Sequence, residues 1–309
     1  MLPRHHALVS ALFATLLLGT RTSPAGAEPA GFAFLEVPAG ARAAAMGGAF
    51  AALGQGAEAV FWNPAGLATV KHLEVTGTHT EYLQSLRHEG FAAAAPLAGG
   101  GIAGSVRALY TEPIAERDDL GNQTGTFGSH DLEFKLALGM PGGERWRWGA
   151  SAQVVEERIA DAAATTVAFG AGASWDPGML PGLRLAVAGD NLGPSPQFTI
   201  DGTKGADVPL PMAVQAGGSY GSAVGGGWQL RGALEARMTR GRSALGLVGA
   251  ELEHSSGATL RGGYRINDDT ASWSAGVGMR LGSVRLDYAF VPFDLDLGNT
   301  HRFGFVASF

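Results

Sequence analysis

The chain ends in His301-Arg302-Phe303-Gly304-Phe305-Val306-Ala307-Ser308-Phe309. In an extended backbone, His301, Phe303, Phe305, Ala307 and Phe309 share one side, and Arg302, Gly304, Val306 and Ser308 share the other. A period of two is the mark of a β-strand. The alternation recurs upstream. Leu132, Phe134, Leu136 and Leu138 alternate with Glu133, Lys135 and Ala137, and Trp146, Trp148, Ala150, Ala152 and Val154 with Arg145, Arg147, Ser151 and Gln153. Trp228, Leu230, Leu234 and Met238 oppose Gln229, Arg231, Glu235 and Arg237, while Val284, Leu286, Tyr288 and Phe290 oppose Arg285 and Asp287. Extended to the whole chain, this reading predicts about fourteen strands. They fall near 72–83, 87–97, 101–111, 131–140, 145–157, 163–175, 182–190, 211–220, 227–238, 244–254, 258–266, 272–281, 283–291 and 299–309.

The opposite end carries an address. Arg4, His5 and His6 precede an apolar run from Ala7 to Gly19, and Ala25-Gly26-Ala27 offers small residues for cleavage. This predicts a secretory signal peptide over residues 1–27, with an apolar part too short to span a membrane as a helix. Its removal takes Lys+Arg from 22 to 20 against 28 Asp+Glu, and the formal charge from -6 to -8. Charged residues make up only 16% of the chain and the mean hydropathy is +0.09, whereas soluble domains carry about a quarter charged residues. No later stretch approaches the roughly 18 apolar residues of a transmembrane helix. Strands with one lipid-facing side account for both facts. The expectation is an all-β fold, a membrane β-barrel of about 14 antiparallel strands in the bacterial outer membrane, with lipid outside.

A soluble β-sandwich would show the same alternation with its apolar face inward. Connection lengths separate the two. Ala98-Gly99-Gly100, Pro141-Gly142-Gly143-Glu144, Asp176 to Pro181, Gly221 to Gly226, Ser255-Ser256-Gly257 and Gly282 are short turns on one rim. The long connections, Glu112 to His130 and Asn191 to Leu210, both belong to the other. Short turns on one side and long loops on the other is the habit of outer-membrane barrels. An arginine turned to lipid at mid-membrane costs roughly 2–4 kcal/mol, so the charged faces are assigned to the lumen. Phe309, as the last strand residue, is read as a signal to the barrel-assembly machinery.

Residues 28–70 do not alternate. Gly40 to Leu53 is small and apolar, and Gln55 to Trp62 has the makings of a short helix that Asn63-Pro64 would end, because proline disfavours a helical residue before it. The chain therefore divides into residues 1–27, a segment 28–70 placed within the barrel or across its mouth, and a barrel from 71 to 309.

Gly40-Ala41-Arg42, Met46-Gly47-Gly48-Ala49-Phe50 and Ala59-Val60-Phe61-Trp62-Asn63-Pro64-Ala65-Gly66-Leu67-Ala68 resemble the N-terminal signature of the PorV/PorQ outer-membrane proteins. Asp190-Asn191-Leu192-Gly193, Leu286-Asp287-Tyr288-Ala289-Phe290 and Leu297-Gly298-Asn299-Thr300-His301-Arg302 are similar to the same family. More distantly, that family resembles FadL-type transporters of hydrophobic compounds. The resemblance implies a fourteen-stranded barrel whose N-terminal segment folds into the lumen as a plug. It implies two functions: passage or binding of small hydrophobic molecules as in FadL-type members, or a partnership with a protein-secretion machine that handles exported cargo as in PorV. A barrel with a purely structural role is a third possibility. Gly54-Gln55-Gly56 stands where many relatives carry an acidic pair, so no role of that pair transfers here.

Other chemistry is sparse. Cysteine is absent, which excludes disulfides and thiol chemistry. The 48 glycines follow no collagen period. Gly99-x-Gly101-x-x-Gly104 matches a dinucleotide fingerprint by letter but lies between two strands, where that motif needs a helix. His72, His79, His88, His130, His254 and His301 are scattered, Asp294-Leu-Asp296-Leu-Gly-Asn299 lacks the closing glutamate of a calcium loop, and Asn122-Gln123-Thr124 is a glycosylation sequon by letter only. Neither an enzyme nor a cofactor nor a nucleic-acid partner is expected. Candidate ligand contacts are Met46, Phe50, Phe61, Trp62 and Asn63 in the N-terminal segment. In the lumen they are Arg261, Arg265, Arg280 and Arg285, which with Arg302 face Glu251, Glu253 and Asp287. These arginines form either a self-neutralising ladder or a track for anionic headgroups such as a fatty-acid carboxylate. The interleaved acids favour the ladder.

Overall fold

The structure is a computed structural model that describes residues 31–83, 86–294 and 298–309. The predicted signal peptide and Asp296 of the candidate calcium loop lie outside the described residues. The wall begins with β1 (Glu74–Glu81), β2 (Arg87–Leu97) and β3 (Gly100–Tyr110). A hairpin of β4 (Ile114–Arg117) and β5 (Gln123–Phe127) follows, paired only with itself. The wall resumes with β6 (Ser129–Pro141), β7 (Trp146–Ile159), β8 (Ala162–Trp175) and β9 (Leu183–Leu192). A second hairpin, β10 (Gln197–Ile200) and β11 (Thr203–Asp207), touches β8 through Thr199 and Ala163. Then come β12 (Ala213–Gly225), β13 (Trp228–Thr239), β14 (Leu245–His254), β15 (Ala258–Ile266), β16 (Trp273–Leu281), β17 (Val284–Phe293) and β18 (Gly298–Ser308).

The ring closes where β1 pairs with β18, from Glu74 opposite Ser308 to Glu81 opposite His301. With β8 joined to β9, the fourteen wall strands form one closed antiparallel barrel. Closure removes both sheet edges. Phe134 and Leu136 are 58% and 67% exposed on the outer surface, among many large apolar side chains there. A soluble monomer rarely shows so continuous an apolar surface. The inner face runs the other way in size: Ala92, Ala94, Ala103, Ala137, Ala168, Ala188, Ala233 and Ala289 are buried. A sandwich would bury its bulky residues, and this ring turns them out.

Two details differ from the sequence reading. The eighth predicted strand ends at residue 220, but β12 continues to Gly225, because the turn is made by Gly225, Gly226 and Gly227 at φ 90, 59 and 82°. Both long connections contain hairpins, which their turn-rich sequences hide. The Gly99 fingerprint is a turn at Ala98 and Gly99 (φ 48 and 83°) leading into β3. Positive φ at both positions suits a tight two-residue hairpin.

Residues 31–70 lie within the ring. The segment starts at the long-loop mouth, where Gly31 N–H donates to Pro209 O (3.1 Å), and leaves into β1 at the short-turn mouth. It contains 3-10 turns at Ala33–Glu36, Gly56–Phe61 and Pro64–Thr69 and one helix, α1 (Ala41–Ala45). Asn63 ends the Gly56–Phe61 turn and caps the next, its Oδ1 accepting from Ala65 N–H (3.0 Å), with Pro64 at the first position. Two glycine patches let backbone meet backbone. A Cβ on Gly139 or Gly149 would strike Pro64, and one on Gly249 or Gly263 would strike the Met46–Gly47 peptide. Gly139→Val is expected to destabilise the folded barrel by about 1–3 kcal/mol through overpacking. Gly262→Ala, whose Cβ meets nothing within 4 Å, should be silent. Heat-modifiability on gels and thermal unfolding of the two variants check this.

Candidate functional site

The buried segment divides the lumen into two cavities that share no lining residue. At the short-turn mouth a cavity of about 730 Å³ is bounded by Arg42, Glu58, Glu74, Asp176, Arg184, Arg231, Arg280 and Arg285. It is a polar vestibule. At its rim the Asp176 carboxylate takes hydrogen bonds from Arg147 (2.6 Å) and Arg184 (2.9 Å). Partial burial pushes its pKa up, but these two arginines outweigh that and hold the carboxyl below its ordinary range.

Between the vestibule and the buried segment runs a ring of alternating charges. Arg42 of α1 donates twice to Glu251 of β14 (2.8 and 2.9 Å). Glu251 also accepts from Arg261 of β15 (2.6 Å), and Arg261 lies 2.8 Å from Asp287 of β17, close enough for an ion pair though not aligned as a hydrogen bond. Asp287 accepts from Arg285 (2.8 Å), Arg285 donates to Glu58 in the segment, and Glu58 lies 3.8 Å from Arg42. Three arginines thus meet three carboxylates in a closed, neutral circuit. Arg231 bridges Glu251 and Glu253 (2.6 and 2.7 Å), and Arg280 reaches Glu253 (3.2 Å), extending the ladder to the vestibule.

Elsewhere the segment is tied by backbone groups. Gln215 donates to Trp62 O (3.0 Å), Asn63 Nδ2 to Ala51 O (3.1 Å) and Ala173 O (3.3 Å), and Ala52 N–H to Glu235 (3.3 Å). Ser274 Oγ donates to Ala45 O (3.1 Å) and accepts from Gly47 N–H (3.2 Å). These bonds satisfy groups that a non-helical chain would otherwise leave unpaired away from water.

The second cavity, about 640 Å³, opens at the long-loop mouth. Its floor and sides are apolar, from Phe34, Val37, Trp62, Leu109, Leu245, Leu247 and Phe293. Arg237, Arg242, Arg265 and Arg302 enter the same lining, with Glu36, Asp268 and Asp269. Asp268 accepts from Thr270 Oγ1 (2.6 Å) and pairs with Arg265 (3.2 Å). Burial raises its pKa, and these partners together bring it below the ordinary value.

The residues singled out in the sequence therefore separate. Trp62 and Arg265 line the long-loop cavity, and Phe61 borders a void of about 30 Å³ beside it. Arg280 and Arg285 line the polar vestibule. Arg261 is locked in the ring, Asn63 in backbone contacts, and Met46 and Phe50 in a buried cluster with Ala43, Leu53 and Leu247. The sequence reading missed Arg42, which it saw only as part of a signature, and Glu58, which it saw only within the short helix expected from Gln55 to Trp62. A lone Arg and Glu in an alanine-rich stretch were the available signal, since such charges are buried only when paired.

Comparison with known proteins bears on the fold. An uncharacterised protein family (UPF0164) matches residues 18–134, a stretch that includes the N-terminal segment and the first strands of the wall. No curated protein matches the chain. Among solved structures, the Ralstonia pickettii toluene transporter TbuX is similar at 14% identity and TM-score 0.58, over 87% of this chain and 98% of the transporter. The Pseudomonas putida toluene transporter TodX is similar at 12% identity and TM-score 0.57, over 86% and 95%. A Pseudomonas aeruginosa FadL homologue gives 12% identity and TM-score 0.50, over 87% and 97%. At such identities what is shared is the fold. The chain has the FadL-like barrel architecture over nearly its whole described length.

Removing the segment's own pair together should cost less than its two single removals added. Arg42→Met leaves Glu251 and Glu58 short of a cation and is expected to destabilise by about 3–5 kcal/mol. In the double variant Arg42→Met/Glu58→Met the wall residues Glu251, Arg261, Asp287 and Arg285 still neutralise one another. Its loss should be smaller than the sum of the two single losses, as read from denaturant midpoints.

Proposed function

We propose that this protein is an outer-membrane barrel that binds small hydrophobic molecules in the long-loop cavity, and that the buried segment 31–70 is the plug that controls their passage. The carrying observation is the cavity itself. Its volume falls in the range of small-molecule sites, its floor is apolar and aromatic, and a few polar groups stand at its edge. The outward band of large apolar side chains supports the outer-membrane location, as does the export signal expected from the sequence. The solved barrels of the same architecture are described as transporters of toluene, which supports the ligand class. Because the two cavities share no lining, passage requires rearrangement of the plug. The charge ring allows it, since the wall half of the circuit is neutral on its own.

A second reading, a PorV-like partner of a secretion machine, draws on the N-terminal resemblance and on the two hairpins at the long-loop rim. β11 is wholly exposed, and Leu120 and Ile200 point to solvent. Protein partners commonly add a strand to such an edge.

The discriminating measurement is saturable binding of N-phenyl-1-naphthylamine by the purified barrel in amphipol, followed by fluorescence. Wild type should bind, and Leu245→Arg, which places a charge in the cavity without entering the wall's buried interior, should weaken binding about tenfold or more. Absence of saturable binding in wild type would sink the ligand reading. Loss of a co-purifying secretion component on deletion of residues 197–207, with probe binding intact, would favour the second.

A further inference from the structure

Two carboxyl groups at the long-loop mouth face each other without a cation. Asp131 of β6 stands directly opposite Glu157 of β7, each two residues from the long-loop end of its strand. Side chains so placed have Cβ atoms about 5 Å apart, and like charges there repel. Asp131 is only 8% exposed, and among the described residues its Oδ1 and the Oε2 of Glu157 have no partner. The charges nearby are spent elsewhere. One row deeper Arg107 and Lys135 pair with Glu133, and on the outer face His130 and Arg158 pair with Glu156. Across Leu109 on the same inward row, both ring nitrogens of the buried His88 lack a partner. Past Thr80, Arg302 ends the row and donates to Pro38 O (2.7 Å).

The start of the buried segment lies over this pair. Phe32, Phe34 and Leu35 cluster with Leu109 and Ala164, which flank Asp131 and Glu157 on either side. The Phe32 N–H donates toward Glu157 and the Arg158 N–H toward Asp131. The other charges of the covering elements are Glu36, which faces Arg242 (3.2 Å), and Lys204 and Asp207 on the exposed β11. Phe32 is held at φ 56°, a left-handed conformation that bulky residues avoid. It is pinned there by Gly31 N–H on Pro209 O (3.1 Å) and by the Phe198 ring at 6.1 Å. The Ala33–Glu36 turn that follows borders the long-loop cavity, with Ala33, Phe34 and Glu36 in its lining.

We infer that Asp131 and Glu157 share a proton that seats the Ala33–Glu36 turn, and that loss of this proton as pH rises lifts the turn and opens the long-loop cavity. With one proton the pair carries a single negative charge, met by two backbone N–H groups. Without it, two carboxylates face each other in apolar surroundings. Water relieves them only where Phe32 withdraws, and the strained backbone at Phe32 favours withdrawal. The seated turn holds one proton more than the lifted turn, so by linkage rising pH favours the lifted form and falling pH the seated one. The inference rests on the proposed ligand role of this cavity and adds its regulation.

The test is thiol labelling, which needs no ligand. The chain has no cysteine, so Leu35→Cys, buried in the turn, and Ala33→Cys, exposed on it, are unique sites in the full barrel in amphipol. The ratio of their maleimide rates removes the thiol's own pH dependence. It should rise about tenfold or more between about pH 6 and about pH 9 and stay flat when Asp131→Asn or Glu157→Gln is added. His88→Gln should keep the rise. A flat ratio without the amide substitutions overturns the switch, as does an equal rise in either folded amide variant. Loss of the rise in His88→Gln overturns its assignment to the carboxyls. A rise produced at about pH 6 by EDTA overturns the proton in favour of a bound divalent cation. N-phenyl-1-naphthylamine should enter the wild-type barrel about tenfold faster at about pH 9 than at about pH 6, and Asp131→Asn at one rate. Equal entry rates in a barrel whose labelling does rise overturn the control of the cavity. Absence of saturable binding at both pH values sinks the ligand reading, while the labelling still decides whether the turn moves.

Discussion

The Met46–Gly47 peptide rests on Gly249 and Gly263, and the Pro64–Ala65 peptide on Gly139 and Gly149. Backbone-to-backbone contact at these two patches constrains the rest of the interior. A ring of fourteen strands can hold forty residues of chain only if the wall withdraws its side chains where the chain touches, which restricts those inward positions to glycine and alanine. Close packing then supplies dispersion contacts, while the hydrophobic effect is supplied by the segment's own Phe32, Phe34, Met46, Phe50 and Leu67. The large apolar residues of the wall are free to face outward.

The same constraint explains the polar interior. Where the segment and wall do not touch through glycine, each buried donor or acceptor needs a partner, and a non-helical segment has many. Ser274, Gln215, Glu235 and Asn63 meet backbone groups, and the segment's Arg42 and Glu58 enter a closed circuit that they complete with a chain of four wall residues. A neutral circuit has a consequence for dynamics. Separation of the two halves leaves each of them neutral, so movement of the segment would not strand a net charge. The two mouths also differ in chemistry because of this arrangement. The ladder crowds the short-turn side with arginines and carboxylates, while the aromatic face of the segment, with Phe34 and Trp62, turns to the long-loop side.

Much of the wall was legible in the sequence. A strand half exposed to an apolar medium must alternate, and a one-residue slip would turn its charges outward, so the Leu132–Leu138 and Val284–Phe290 runs name both strand and face. Turn lengths ordered the strands around the ring. The end of β12 escaped because Gly221 to Gly227 reads as turn throughout, and only pairing with β13 shows that the strand continues to Gly225. The hairpins β4–β5 and β10–β11 escaped because short, exposed strands need no apolar period. In the interior, Trp62 and Arg265 were singled out by type and line the long-loop cavity, but Arg261 and Arg302 could not be told apart. Both are inward arginines, on β15 and β18, and depth along the barrel decides their company.

The sequence by itself determined the strand count, the faces and the two rims, because period and turn chemistry are local properties of the chain. It also marked residues 28–70 as foreign to the wall. The tertiary structure alone decided which glycines lie beneath which peptide, and that Arg42 meets Glu251 at 209 residues' separation. It alone decided that the lumen is two cavities of opposite character. Such facts depend on how a segment without periodicity is set against a closed ring, and no local pattern records that.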